Sequence, residues 1–358
     1  FRNFHPLSGN GYPKLFFIGN TTDPEPIYEL LELVDLKETL IMMSSKSGNT
    51  VEQMASFLIL RDKLIDEVGP VKAKEQILCL TDANSGTLRQ IVDLEGYRSV
   101  AIPGDVGGRF SVLSVAGLLP LACAGIEVER LLEGARDMDE QDSKSAEDAS
   151  VGLSEVSMAA QYAYHQYLAY ERHNLRINVL FMYSYKMREV GSWFRQLWAE
   201  SLGKRVNRLE EEVHIGPTPI SSLGPTDQHS QCQLYMEGPA DKIFSFVRVK
   251  AAKRDIELPD AFPTIDGVSY LKGINLQRIL LAEQEATAEA LAQAGKPSTL
   301  LELSELNAYN LGQLLYFFEL ATVYAGSLWN IDPFNQPGVE LGKQLMFQKL
   351  GRKGFEQI

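Results

Sequence analysis

The sequence predicts an α/β fold of doubly wound parallel sheets in two successive units, and three observations carry that expectation. Short apolar runs closed by turn residues alternate with stretches of helical periodicity. The runs are apolar nearly throughout, as strands buried on both faces are. The alternation then restarts after a strongly acidic stretch, DMDEQDSKSAEDAS at 137–150.

Taken in order, LFFIGN at 15–20 predicts a buried parallel strand, 26–34 a helix, 40–43 a strand and 50–68 a helix. QILCLT at 76–81 predicts a strand, 85–93 a helix, 99–103 a strand, and 111–126 an apolar helix of a soluble core. The acidic stretch reads as a solvated helix face or a linker. The boundary is placed there, giving a first domain over 1–136, a linker or helix over 137–153, a second domain over 154–334 and a C-terminal helix over 335–358. The second cycle runs through a helix at 154–170, a central strand at 177–185 (INVLFMYSY) and a helix at 189–202. Strands near 213–216 and 244–249 and long helices at 275–294 and 311–330 complete it.

Composition narrows the function classes. The 358 residues are 45% hydrophobic and 23% charged, an ordinary soluble balance. A net charge of −13 argues against nucleic acid as a partner, which calls for a basic footprint. Cys79, Cys123 and Cys232 are widely spaced and predict neither a metal site nor a disulfide framework. Cys79 and Cys123 lie in apolar runs and read as buried thiols, which fits a reducing cytoplasm. No apolar stretch reaches membrane-spanning length, so no membrane partner is expected.

Five stretches fall where chemistry is expected. SSKSGNT at 44–50 lies between a strand and a helix, at the strand's carboxyl end, where open α/β sheets bind ligands. Its hydroxyls, its lysine and the free N–H groups of a helix start suit a phosphate, and an ordinary Ser/Thr cap is the other reading. Arg109, after Gly107 and Gly108, can hold an anion or a developing oxyanion, or pair with an acid across a domain seam. Glu200 falls on the flank of an apolar stripe at 190, 193, 194, 197 and 198, either a general base raised by its surroundings or a solvated carboxylate. His229 sits in PTDQHS with Asp227 or Gln228 as orienting partners, an acid or base near neutrality or a plain turn histidine. Near the C-terminus, NQPGVELGK places Glu340 and Lys343 at i and i+3, able to pair.

SKSGNT with Glu52, VGGRFS, QLWAES-GK, TDQHSQ and QPGVELGK occur here in that order, and from about residue 14 to the C-terminus the chain resembles the glucose-6-phosphate isomerases (phosphoglucose isomerases). The resemblance implies two sugar-isomerase (SIS) domains and interconversion of glucose 6-phosphate and fructose 6-phosphate through a cis-enediol, with no metal or organic cofactor. It implies that Ser45, Lys46, Ser47 and Thr50 bind phosphate and that Glu200 is the base moving the proton between C2 and C1. Arg109 is implied to hold the enediolate charge, with Gly108 bringing backbone near the sugar. His229 and Lys343 are implied in ring opening, and Gln336 in lining the site. The histidine reaches the site from the neighbouring subunit in this family, so a homodimer is implied. The family also carries a GIGGS-type turn after its first strand, absent here; either the segment bearing it precedes the sequence given, the favoured expectation, or the protein lacks it. A non-catalytic sugar-phosphate-binding SIS protein and an isomerase that also takes mannose 6-phosphate are the rival expectations.

Overall fold

A computed structural model describes residues 11–147, with side chains to 144, and 157–356. The chain divides into two compact units, Phe1–Glu129 and Arg130–Ile358.

The first unit holds a three-stranded parallel sheet in the order β1-β2-β3. Its strands are β1 (Ile41–Ser44), β2 (Ile77–Thr81) and β3 (Arg98–Ala101). Helix α1 (Glu25–Leu33) precedes β1, while α2 (Val51–Val68) and α3 (Pro70–Glu75) link β1 to β2. Helix α4 (Thr87–Glu95) links β2 to β3 and ends at Gly96, whose positive φ closes the helix in the left-handed conformation. Phe57, Leu60 and Leu64 of α2 pack on Ile77 and Cys79 of β2. Burial pushes the Cys79 thiol up to about 11, which leaves it inert. Cys123 is only half-buried, against the expectation for its apolar run. The apolar stretch at 111–126 splits into a 3₁₀ segment, Gly108–Leu113, and helix α5 (Val115–Cys123). The Ser114 hydroxyl ends one and caps the other by accepting from Ala116 N.

One expected strand is not formed. Residues 15–20 are irregular, Phe17 is 72% exposed, and among the described residues β1 pairs only with β2. An apolar run becomes a strand only where a neighbouring strand pairs with it, and among the described residues no strand pairs with this one.

The second unit starts in α6 (Val128–Glu147), which carries the described part of the acidic stretch. Its aspartates are not simply solvated. Asp137 and Asp139 accept from Tyr309 and Tyr316 at 2.7 Å each, and Asp142 accepts from Tyr324. These tyrosines line α12 (Ala308–Leu328). The parallel sheet has the order β7-β4-β8-β9, with β4 (Ile177–Tyr183) central, β7 (Thr218–Leu223) on one side and β8 (Lys242–Ala251) and β9 (Ser298–Glu305) on the other. The chain therefore winds away from β4 in both directions. Helices α7 (Met158–His173), α8 (Arg188–Leu202), α9 (Cys232–Glu237), α10 (Asp266–Ser269), α11 (Leu276–Gln293) and α13 (Glu340–Lys349) complete the unit. A short antiparallel pair, β5 (Lys204–Val206) with β6 (Glu212–Ile215), follows α8. No helix among the described residues is long and apolar enough to cross a membrane.

Candidate active site

In the first unit the SKSGNT loop leaves the carboxyl end of β1. Ser45 N donates to Leu80 O at 2.9 Å, and the buried Ser45 hydroxyl accepts from Gly48 N at 3.1 Å. Gly48 has φ +73°, and a Cβ there would lie 2.4 Å from Leu88 N, so this position requires glycine. Ser47 O accepts from Thr87 N at 2.7 Å, and the Ser47 hydroxyl accepts from Asn49 N at 3.2 Å. The loop is thus held by its own backbone and by the start of α4. Thr50 occupies the N-cap position of α2, yet its side chain accepts no bond from the helix. A side-chain cap of α2 by Thr50 is therefore not made.

Lys46 connects this loop to the next motif. Its Nζ donates to the carbonyls of Gly104 and of Val106, the latter at 3.3 Å. Those carbonyls lie just before Gly107, Gly108 and Arg109, so the two stretches are adjacent within the first unit. Arg109 is 3% exposed, with its guanidinium carbon 5.6 Å from the centre of the Phe110 ring. A Cβ at Gly107 or Gly108 would meet nothing within 4 Å, so packing does not demand either glycine. Asp82 was missed by the sequence reading. It accepts from Asn84 N and Ser85 N at 2.9 Å each, and these bonds, aided by the Lys46 charge, hold its carboxyl below the usual range. Its signal was the DANS stretch, an Asp-initiated turn.

In the second unit, α8 presents Glu200. Phe194, Leu197 and Trp198 are fully buried, as their stripe predicts, while Val190 and Trp193 are half-buried. Phe194 packs on Phe318 of α12, ring centres 4.7 Å apart. On another side, Gly191 lets the helix lie against β7, since a Cβ would fall 2.1 Å from the Ser221 hydroxyl oxygen. Fixed on two faces, the helix carries Glu200 half-buried on its last turn. Gln196 Nε2 donates to Glu200 Oε2 at 3.2 Å.

The C-terminal motif meets this helix. Lys204 Nζ donates to Glu200 O at 2.9 Å and to Asn335 O at 3.0 Å. Asn335 Nδ2 donates to Asp332 Oδ2 at 2.8 Å, which steadies the turn leading to the half-buried Gln336. Asn335, Gln336, Pro337 and Glu340 line a shallow depression. Lys343 donates to Glu340 Oε1 at 2.8 Å, the i, i+3 pair that the spacing allows.

His229 lies apart from this group. It is exposed at the end of a 3₁₀ turn, Thr226–His229, beyond the carboxyl end of β7. No hydrogen bond joins it to Glu200 or Lys343 among the described residues. Its expected orienting partners are occupied elsewhere. Asp227 accepts from Leu223 N and from the Ser230 hydroxyl at 2.7 Å each, and Gln228 Nε2 donates to Glu283 O at 3.1 Å and to the Thr287 hydroxyl. Asp227 shapes the turn, because a short side chain in a tight turn meets its backbone before it meets a neighbouring ring, while Gln228 ties the turn to α11.

Comparison with known proteins agrees over almost the whole chain. The family profile described as phosphoglucose isomerase matches residues 4–353. A glucose-6-phosphate isomerase of Rubrobacter xylanophilus is 39% identical over 353 residues, covering 98% of this chain and 78% of that protein. A glucose-6-phosphate isomerase of Carboxydothermus hydrogenoformans is 38% identical over 347 residues, covering 97% of this chain and 73% of that protein. Among solved structures, a hypothetical protein of Thermus thermophilus is similar with a TM-score of 0.86 at 39% identity, over 98% of this chain and 79% of that one.

Proposed function

This chain belongs to the phosphoglucose isomerase family, and from that premise we propose that it interconverts glucose 6-phosphate and fructose 6-phosphate through a cis-enediol. The observation that carries this reading is the family match over residues 4–353. The roles rest on the residues in the family motifs. Ser45, Lys46, Ser47 and Thr50 take the phosphate, through hydroxyls, one ammonium and the open start of α2. An exchange of carbonyl oxygens for phosphate would free the Lys46 ammonium for this work. Binding energy gathered at the phosphate, away from the reacting carbons, can be used for orientation.

Glu200 removes the proton from C2 of the aldose and returns it to C1, and the reverse in the other direction. One carboxylate serves both carbons because they are adjacent. The C2–H electron pair becomes the C1–C2 double bond while the carbonyl pair moves onto O1, where Arg109 stabilises the resulting enediolate. A proton then passes from the C2 hydroxyl to O1 as C1 is protonated, leaving the ketone at C2. Gly108 brings backbone beside the sugar, and Gln336 lines the site. His229, contributed by a second copy in a homodimer, and Lys343 open the sugar ring by moving a proton between ring oxygen and anomeric hydroxyl. The exposed setting of His229 supports that assignment. The reading places the enzyme in the cytoplasm and uses no metal or organic cofactor.

The test is the initial rate of fructose 6-phosphate conversion to glucose 6-phosphate, with Glu200→Gln alongside. Turnover that collapses in the variant supports both reaction and base. Turnover that survives removes Glu200 as the base, and a native protein that binds the sugar phosphate without turnover contradicts the reaction.

A further inference from the structure

We infer that Lys204 is a positioning residue for the isomerisation, a clasp that fixes Glu200 relative to the segment carrying Gln336 and Lys343. The inference rests on the reading of Glu200 as the base.

Glu200 stands on the last turn of α8, where a helix has carbonyls with no intrahelical donor. Such a terminus frays unless a donor satisfies it. Lys204, the first residue of β5, is 8% exposed, and its Nζ meets the carbonyl of Glu200 itself at 2.9 Å. The same nitrogen meets Asn335 O at 3.0 Å, across 131 positions of sequence. That carbonyl belongs to the residue before Gln336, and the following Pro337 has no N–H with which to fix the turn.

Both attachments are to main chain, so the clasp sets where each segment's backbone lies. On the far side, Arg208 N donates to Asn330 O at 2.7 Å, a second tie between the same two segments. The segment between is packed by Ile331, fully buried, and by Pro333 against Gly326. Two ties across a packed segment leave the lysine the one nearest the base. The cationic end also suits a helix C-terminus, whose dipole favours positive charge. Replacing the ammonium by a methyl of similar reach would leave two part-buried carbonyls without this donor. The backbone carrying Glu200 would then shift relative to Gln336, and a misplacement of about 1 Å can cost about a hundredfold in rate.

The test measures kcat and KM for fructose 6-phosphate in the native protein, Lys204→Met, Lys204→Arg and Glu200→Gln, with thermal unfolding of each. Lys204→Met is expected to lose kcat by about 30- to 100-fold while KM moves by less than about threefold. Lys204→Arg, which retains charge and donors, is expected to recover to within about fivefold of native. If Lys204→Met does not fold, Lys204→Gln carries the same expectation on kcat. A kcat within about threefold of native in folded Lys204→Met, beside an inactive Glu200→Gln, overturns the clasp and leaves the base in place. A native kcat in Glu200→Gln overturns the underlying reading instead.

Discussion

Lys46 and Lys204 each donate a pair of hydrogen bonds to backbone carbonyls, in different surroundings. Lys46 is half-buried, in the first unit, and bonds the carbonyls of Gly104 and Val106 at the edge of a polar loop. Lys204 is buried, in the second unit, and bonds the carbonyls of Glu200 and Asn335 between a packed helix and an anchored turn. An ammonium with water on one side can exchange a carbonyl for a phosphate oxygen at little cost, because one acceptor replaces another. An enclosed one cannot leave without stranding both acceptors. The contrast teaches a division of labour within the proposed reaction: the loop of the first unit grips, and the helix end of the second reacts. Grip should show mainly in KM and reaction mainly in kcat.

Ordered by size, the expected effects sharpen or break that division. Glu200→Gln should lower kcat by about a thousandfold or more with KM little changed, measured by steady-state kinetics on fructose 6-phosphate. A rise in KM alone would put Glu200 with the grip. Arg109→Lys should lower kcat by about a hundredfold, since the fork that spreads charge over two oxygens is replaced by a point charge. Arg109 lies in the first unit, so an effect confined to KM would make the division strictly one of units, and an effect on kcat makes it one of chemistry.

The packing behind Glu200 has its own cost. Glu319 of α12 is 8% exposed, its Oε1 has no hydrogen-bond partner among the described residues, and burial raises its pKa from 4.5 to about 8. The folded protein therefore keeps a proton that the unfolded chain releases above about pH 4.5, so stability falls as pH rises from there toward 8. Between pH 5 and 7 the loss should be on the order of 2 kcal/mol in the urea unfolding free energy, and Glu319→Gln should flatten it. An equal slope in the variant would remove Glu319 as its source. Smallest is Lys46→Ala, expected to raise KM for fructose 6-phosphate about tenfold with kcat within about threefold, since it removes one cation from a loop with other donors. A hundredfold fall in kcat there would place Lys46 with the reacting groups.

Much of this was legible in the sequence, for reasons that differ by region. The passage from β1 through SKSGNT into α2 was readable because strand, loop and helix each carry their own pattern. The same holds for β4 and α8, where a run of apolar residues and a 3.6-residue stripe coincide with burial. Two strands of the second sheet were not readable. TPISSL in β7 includes Pro219 and the hydroxyl residues Thr218, Ser221 and Ser222, and STLLELSE in β9 is mostly polar, so both owe their state to the neighbours they pair with. The opposite error, a strand expected at 15–20, has the same root: apolar character does not supply a partner. At the site, residue types pointed to Glu200 and Arg109, and Lys204 closes the QLWAES-GK motif, but its role was not readable because its acceptors are main-chain carbonyls, one of them far along the chain. Asp227 and Gln228 were misplaced likewise, their side chains being taken up by local backbone and by α11.

The most direct test follows the proton itself. With fructose 6-phosphate in deuterated water, NMR should show solvent deuterium entering C1 of the fructose 6-phosphate and C2 of the glucose 6-phosphate formed, at a rate comparable to turnover in the native protein. In Glu200→Gln that entry should fall by about a thousandfold or more while the sugar phosphate still binds. Deuterium entering the folded Glu200→Gln protein's substrate at the native rate would contradict the account, because some other group would then be moving the proton.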